Sequence, residues 1–173
     1  MRSEHEIEIN NGARFMFGEN WSAYIKYIDD DRIESARASL IARLGLESLK
    51  GMKFLDVGSG SGLFSLAAYS LGAEVYSFDF DPLSVKCTQE LKEKYFPEAD
   101  NWTIEEGSVL DENYMASLGQ FDVVYSWGVL HHTGDMWKAL TNLEVLGAKF
   151  VFIAIYNDQG WISKYWTCVK GLY

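Results

Sequence analysis

A short segment between residues 54 and 64 combines the residue types that a nucleotide cofactor needs. An apolar run ends on Asp56, and glycines then alternate with serines from position 58 to position 62. Glycine allows positive φ angles and lets a ligand approach where a Cβ would obstruct it. A helix that begins near Leu63 would add its free backbone N–H groups. The segment therefore predicts a cofactor loop that contains Asp56, Gly58, Ser59, Gly60 and Gly62.

The spacing of these glycines distinguishes between cofactors. Loops that bind dinucleotides read G-x-G-x-x-G, whereas this loop reads G-x-G-x-G directly after Asp56 and Val57. A carboxylate at the end of the strand would repel a pyrophosphate but suit a cationic ligand. The spacing favours a cationic nucleoside over NAD. An NAD-dependent oxidoreductase remains a rival, and it would reveal itself by binding NADH.

A second acid, Asp79, follows Gly58 by 21 positions. In units of this kind an acid about 20 residues after the loop binds the ribose hydroxyls, so we expect that role for Asp79, with a solvated strand-end aspartate as the alternative. Asp81 competes with it, but Asp81 precedes Pro82 and better suits a helix N-cap with proline at the first position. Phe80 would lie against the adenine ring or pack in the core, and the sequence favours neither.

Apolar runs alternate with amphipathic ones along most of the chain. This alternation predicts parallel strands joined by right-handed helical crossovers, with ligands at the carboxyl ends of the strands. We expect an α/β, Rossmann-like, doubly wound and mainly parallel sheet of at least five strands, with helices on both faces and N-terminal helices. The predicted strands are 53–57, 74–78, 102–105, 121–126 and 150–155; the predicted helices are 19–28, 31–44, 63–71, 81–95, 135–146 and 160–172, with a turn or short helix at 112–118.

Length and composition limit the class of protein. A chain of 173 residues is predicted to form one domain. Its 48% hydrophobic and 15% aromatic residues exclude a disordered chain. Its expected parts are an N-terminal arm with helices (1–45), a cofactor-binding core (53–158) and a C-terminal helix (159–173). A net charge of −10 makes nucleic acid a poor partner, because nonspecific binding depends on Lys and Arg at phosphates.

The cellular location is also predicted from the sequence. Its apolar runs are shorter than the roughly 20 residues of a membrane-spanning helix, and its first residues are too polar for a secretory signal. Cys87 and Cys168 are too few for a disulfide framework and lack the spacing of metal ligands. We expect a cytoplasmic protein with reduced thiols, no membrane span and no metal.

Four stretches of the chain resemble motifs of the class I S-adenosylmethionine-dependent methyltransferases. The resemblance covers about residues 18–158 and is closest to the small-molecule methyltransferases of the ubiquinone pathway, although that finer similarity covers the cofactor half only. The stretches are the glycine loop (55–62), the strand end at 75–82, the segment 106–111 and the strand end at 121–132.

The resemblance implies a role for each motif. Asp56 would orient the loop and favour the cofactor ammonium directly or through water, and Asp79 would hold the ribose. Ser108 stands where the family commonly has aspartate, so the backbone N–H of Val109 could recognise adenine instead. At the fourth motif the residues beside the donor methyl would be Ser126 and Trp127, whose indole could flank the sulfonium or pack in the core. Trp21 would act as a lid over the cofactor.

The implied reaction moves a methyl group from S-adenosylmethionine to an O or N nucleophile of a small molecule and leaves S-adenosylhomocysteine. His131 and His132 are the candidate bases, since a histidine can take a proton near neutral pH; helix capping and solvent exposure are the alternatives. Tyr156 and Asn157 would shape the acceptor pocket. A non-catalytic module that binds S-adenosylmethionine or regulates a partner is the alternative function.

The C-terminal part departs from the family pattern. The resemblance implies two further strands, one of them antiparallel, after the helix that follows the fifth strand, and the sequence stops at Tyr173 before them. The fifth strand would then have an uncovered edge. We therefore expect a homodimer, or a partner that covers this edge.

Overall fold

Five parallel strands form the centre of the protein. The computed structural model describes residues 17–156, with side chains from residue 20 onward. The strand order is β3-β2-β1-β4-β5, and each neighbouring pair is parallel. The direction of winding reverses between β1 and β4, and ligands bind at such points in open α/β sheets. The strands are β1 (Lys53–Val57), β2 (Glu74–Asp79), β3 (Trp102–Glu106), β4 (Val123–Trp127) and β5 (Phe150–Ala154).

Helices precede the sheet and connect its strands. They are α1 (Phe17–Tyr24), α2 (Asp30–Leu44), α3 (Leu63–Ser70), α4 (Pro82–Tyr95), α5 (Glu112–Ser117) and α6 (Met136–Leu143). Short 3₁₀ turns occupy Ile25–Tyr27, Leu130–His132 and Glu144–Leu146. The predicted Rossmann-like α/β fold with N-terminal helices is thereby confirmed.

Both faces of the sheet are buried beneath helices. Side chains of β1 alternate between the faces, as a strand requires: Phe54 belongs to one buried cluster with Leu66 of α3, and Leu55 belongs to the other with Leu143 of α6. Burying a side chain of this size contributes about 1.5 to 3 kcal/mol. The alternation therefore determines which of the two buried clusters each side chain of β1 joins.

Aspartates cap the N termini of four helices. The predicted cap is confirmed at α4, where the Asp81 carboxylate accepts a hydrogen bond of 2.9 Å from the Leu83 N–H and Pro82 takes the first helical position. A cap of this kind contributes about 0.5 to 2 kcal/mol. The other three capping residues are Asp29, Asp111 and Asp135.

Two predicted helices end earlier than the sequence pattern indicated. The helix predicted at 19–28 stops at Tyr24 and continues as a 3₁₀ turn, because Ile28 is extended and Asp29 must cap α2. The helix predicted at 135–146 stops at Leu143, and its last turn is 3₁₀. The predicted helix at 160–172 and residues 1–16 of the arm lie outside the described residues.

Candidate cofactor-binding site

A cavity of about 480 Å³ opens where the ends of β1, β2 and β4 meet α1. It lies at the reversal of the winding, where the fold predicts a ligand. Nine of the residues predicted for the site line this cavity, in agreement with the position of their motifs at strand ends: Trp21, Asp56, Gly58, Ser59, Gly60, Asp79, Trp127, His132 and Tyr156.

The glycine loop has the backbone that its sequence predicted. Gly58, Gly60 and Gly62 all have positive φ angles, of 76°, 55° and 79°. A Cβ on Gly58 would lie 2.5 Å from a methyl group of Val129, and one on Gly60 would lie 2.9 Å from the indole nitrogen of Trp21. Other residues would be strained at these angles, so the loop requires glycine for conformation and for close approach.

Asp79 connects the end of β2 to the glycine loop. One carboxylate oxygen accepts a hydrogen bond of 2.9 Å from the Gly60 N–H, and the other accepts one of 2.9 Å from the Asp81 N–H. A carboxylate has about four acceptor sites. Asp79 can therefore hold the loop and still accept from ligand hydroxyls.

Asp56 is buried at the end of β1, with 3% of its surface exposed. Burial, which has the largest effect, and the negative charge of Asp79 together raise the pKa of this carboxyl to about 7, against the lowering effect of hydrogen bonds from Ser65. One of these bonds joins the Ser65 hydroxyl to Oδ2 over 2.5 Å. A cation in the cavity would favour the ionised form of Asp56.

Aromatic rings form the wall beside the carboxyl end of β4. Trp127 stacks on Phe64 with ring centroids 5.5 Å apart, and the guanidinium of Arg43 lies 4.3 Å from the centroid of Trp127. The buried hydroxyl of Tyr125 also lies at this wall, without a hydrogen-bond partner among the described residues. The wall combines an apolar surface with a buried hydroxyl behind it.

The two candidate bases have different surroundings. His132 is exposed and lines the cavity, whereas both ring nitrogens of His131 are buried without a partner in the described part of the chain. Burial lowers the pKa of His131, which keeps that imidazole neutral. The structure therefore brings His132, and not His131, to the cavity.

Six predicted residues lie outside the cavity lining, among them the proposed adenine segment. The Ser108 hydroxyl accepts from the Leu110 N–H, and the Val109 carbonyl accepts from the Asn142 amide. Ser126 is fully buried and donates to the Val57 carbonyl, which ties β4 to β1. The other three are Gly62, Phe80 and His131, and Asn157 lies outside the described residues.

Eleven lining residues were not among the predicted site residues. Val129 lies within the fourth motif and Thr133 directly follows it, so that motif contained a signal for both. Ser84 lies in the first turn of α4, two residues after Pro82. Asn20 comes from a segment without a motif, and only the packing of α1 against α4 places it there. The remaining members are Tyr24, Ser61, Leu63, Phe64, Asp81, Tyr125 and Gly128.

Neither a metal centre nor a membrane span is found in the described part of the chain. Among residues 17–156, no group of three or more His, Cys, Asp or Glu side chains is arranged to hold a metal ion. No helix in that range has the length and apolar character needed to cross a membrane.

Comparison with known proteins identifies the family. Residues 48–164 match the family model described as a methyltransferase domain. A ribosomal protein L11 methyltransferase from Prochlorococcus marinus is 33% identical over 88% of this chain and 46% of its own. A ubiquinone biosynthesis O-methyltransferase from Cereibacter sphaeroides is 33% identical over 53% of this chain and 35% of its own.

A solved structure supports the same fold. Magnesium protoporphyrin IX methyltransferase from Synechocystis PCC 6803, solved with bound SAH, superposes with a TM-score of 0.60 at 23% identity, over 82% of this chain and 61% of that one. The chain spans about half the length, or less, of the two curated relatives. The family model covers more than half of the chain, so this protein belongs to the methyltransferase domain family.

Proposed function

We propose that this protein transfers the methyl group of S-adenosylmethionine to an O or N nucleophile of a small molecule. The observation that carries the proposal is the position of Asp56 and Asp79 on either side of a loop of three left-handed glycines, in one cavity. Two carboxylates beside such a loop suit a ligand with an ammonium, a sulfonium and a ribose. They suit a pyrophosphate poorly.

Each side chain has a defined part in holding the donor. Asp79 would accept from the ribose hydroxyls in addition to its hydrogen bonds from the Gly60 and Asp81 N–H groups. Asp56 would favour the ammonium, directly or through water. Trp127 would place its ring near the sulfonium, and Trp21 would cover the loop at Gly60.

The adenine site is a separate part of the proposal. Phe80, Ser108 and Val109 are proposed to bind the adenine, although they do not line the cavity. The backbone N–H of Val109 would recognise the ring, because Ser108 lacks the charge of an aspartate.

The protein would contribute to catalysis mostly by aligning the methyl donor with the acceptor. Bound S-adenosylmethionine supplies a methyl group on a sulfonium that is already activated, and S-adenosylhomocysteine is left after one in-line displacement. The cavity walls would orient donor and acceptor and exclude water. His132 would take the proton from a hydroxyl acceptor, whereas an amine acceptor needs no dedicated base.

The acceptor side of the cavity consists of Gly128, Val129, His132, Thr133 and Tyr156. In the described part of the chain no Lys or Arg lines the cavity, while three aspartates do. An anionic acceptor would be repelled there. This charge pattern supports a neutral hydroxyl or amine as the nucleophile, with Asn157 as a further proposed contact.

The relatives of this chain are enzymes with different acceptors. They include a ribosomal protein L11 methyltransferase, a ubiquinone biosynthesis O-methyltransferase and a tRNA U34 carboxymethyltransferase. The net charge of −10 disfavours RNA. We therefore place a small molecule first, and a non-catalytic module that binds S-adenosylmethionine second.

Methyl transfer from labelled S-adenosylmethionine to small phenols, quinol precursors and amines tests the proposal. We expect methylated product with a hydroxyl or amine acceptor. The same preparation should also bind the donor with a measurable Kd. Donor binding without transfer to any of these acceptors would favour the non-catalytic module.

The role of His132 is tested with the acceptor found in that screen. The substitution His132→Gln should lower the rate with a hydroxyl acceptor by about a hundredfold or more, because proton removal is lost. It should also remove the rise in rate with pH that a base produces. The rate with an amine acceptor is the matched control, and an equal loss there would contradict a role as base.

A further inference from the structure

A chain of buried hydrogen bonds runs through the sheet to Asp56. The indole N–H of Trp102 on β3 donates to the Ser77 hydroxyl on β2 over 2.9 Å. Ser77 donates to the Ser65 hydroxyl on α3 over 2.8 Å, and Ser65 donates to Oδ2 of Asp56 over 2.5 Å. All four side chains are at most 3% exposed. A polar chain of this kind is costly to bury unless every member is paired.

The chemistry of its first member fixes the direction of this chain. An indole N–H can only donate, so the hydroxyl proton of Ser77 is available for Ser65, and that of Ser65 for Asp56. A proton on Oδ2 of Asp56 would reverse the last two bonds and leave a buried hydroxyl of Ser77 without an acceptor. Such an unpaired group costs about 1 to 3 kcal/mol. The chain thus disfavours protonation of Oδ2.

We propose that Ser65, Ser77 and Trp102 are positioning residues that hold Asp56 as an ionised acceptor for the ammonium group of the methyl donor. The proposal rests on the proposed function, because it assigns Asp56 to the donor. None of the three side chains lines the cavity. They act through Asp56, which does.

The charges around Asp56 explain why such support is needed. Asp56 lies in register between Ser77 of β2 and Tyr125 of β4. The pKa of Tyr125 is raised by burial and by Asp56, so its hydroxyl stays neutral. Asp79 adds a negative charge from the end of β2. From α3 the groups that reach Asp56 are the hydroxyl and backbone N–H of Ser65, both of which lower its pKa.

Other titratable groups border the same cavity. They are Tyr24 of α1, Asp81 at the start of α4, His132 after β4 and Tyr156 after β5. The positive charge of Arg43 on α2 acts on Tyr125, where it lowers the pKa against the larger effect of burial. Since these groups remain in every variant used below, a change in pH dependence on mutating Ser65 reports on the hydrogen-bond chain.

The first experiment compares donor binding by the full chain between pH 6 and pH 8. Calorimetry with S-adenosylmethionine is carried out on the wild type, Ser65→Ala, Ser77→Ala and Ser70→Ala. Ser70 is the matched control, because it lies on the same helix and donates only to the Ala67 carbonyl. In the wild type, affinity should fall as the pH falls through the pKa of Asp56 near 7, since protonation removes the charge that attracts the ammonium.

Ser65→Ala should move this fall in affinity to higher pH. At pH 7 the Kd should rise about fivefold for a change of one unit in pKa, because the ionised fraction falls from about one half to about one tenth, and the ratio to wild type should shrink as the pH increases. Ser77→Ala should produce a smaller shift in the same direction, because the Ser65 hydroxyl remains. Ser70→Ala should follow the wild type. A loss of affinity in Ser65→Ala that is equal at every pH would overturn the proposal.

The second experiment needs no ligand. The free energy of unfolding is measured by urea titration against pH for the same four proteins. A carboxyl whose pKa is raised from 3.8 to about 7 on folding binds more protons in the folded state, so stability falls as the pH rises between these values and levels off above. In Ser65→Ala the fall should continue to higher pH than in the wild type or in Ser70→Ala.

The two experiments separate the two possible failures. If the wild type does not bind S-adenosylmethionine, the proposed function fails, and with it the assignment of Asp56 to the donor. If the donor binds but the stability profiles of Ser65→Ala and Ser70→Ala coincide, the hydrogen-bond chain does not control Asp56 and the positioning proposal fails alone.

Discussion

Asp56 and Asp79 lie at the ends of adjacent strands but differ in what they bond. Both oxygens of Asp79 accept backbone N–H groups, whereas Asp56 accepts the hydroxyl of Ser65 at the end of a buried chain. Asp79 is partly exposed and Asp56 is buried. Asp79 organises the loop, and we propose that it also accepts from the ribose hydroxyls, whereas Asp56 is proposed to supply a buried charge.

Replacing Asp79 with asparagine tests its part at the level of one residue. Asp79→Asn removes the charge and brings an amide N–H₂ towards backbone donors, so the Kd for S-adenosylmethionine should rise about tenfold or more. Asp100→Asn on the exposed turn before β3 is the matched control and should bind as the wild type does. Calorimetry at fixed pH measures both. Equal affinities in the two variants would remove Asp79 from the site.

Gly60 is predicted to be needed for space as well as for conformation. In Gly60→Ala the new Cβ would lie 2.9 Å from the Trp21 indole, whereas in Gly119→Ala it would meet nothing within 4 Å. Both glycines have positive φ, so both variants should lose about 1 to 2 kcal/mol of stability. Only Gly60→Ala should also weaken donor binding. Calorimetry measures donor binding, and urea denaturation measures stability. Equal donor affinities in the two variants would contradict this prediction.

The sequence predicts those site residues whose roles depend on local spacing. Asp56, Asp79, Gly58 and Gly60 belong to contiguous motifs, and the structure brings them to one cavity. The hydrogen-bond chain from Trp102 was not predictable, because its members come from three strands and a helix and meet only through the strand register and the packing of α3. Ser126 was placed at the site by its motif, but its side chain points to the Val57 carbonyl.

At the level of elements, the sequence predicted the strands better than the ends of the helices. Each strand was found within two residues of its expected bounds, because the buried central strands contain apolar runs that are short and bounded by polar or glycine residues. Helix ends depend on caps and on neighbouring elements. The helix predicted at 19–28 was interrupted because Asp29 caps α2, and hydrophobic spacing alone contains no sign of this.

The start of α3 packs closely against α4, and this contact supports the glycine loop. A Cβ on Gly62 would lie 2.8 Å from the Thr88 Cα, which is backbone and cannot turn away. Gly62→Ala should therefore cost more stability than Gly45→Ala, where a Cβ at a similar φ meets nothing within 4 Å. Urea denaturation of the two variants measures the difference. Equal losses would show that the two helices can separate at no cost.

At the scale of the whole molecule, oligomeric state stays a prediction. The outer strand β5 exposes about half of the Val151 surface, and Ile155 and Tyr156 after it are also exposed. We expect a homodimer or a partner at this edge. Light scattering at micromolar concentration measures this, and a monodisperse monomer would count against the dimer.

The central claim is that the cavity beside the glycine loop binds a methyl donor. Isothermal titration of the wild type with S-adenosylmethionine, S-adenosylhomocysteine and NADH tests it most directly. We predict that both adenosyl compounds bind with one site per chain and that NADH does not. Failure of both adenosyl compounds to bind, or binding of NADH in their place, would contradict the account.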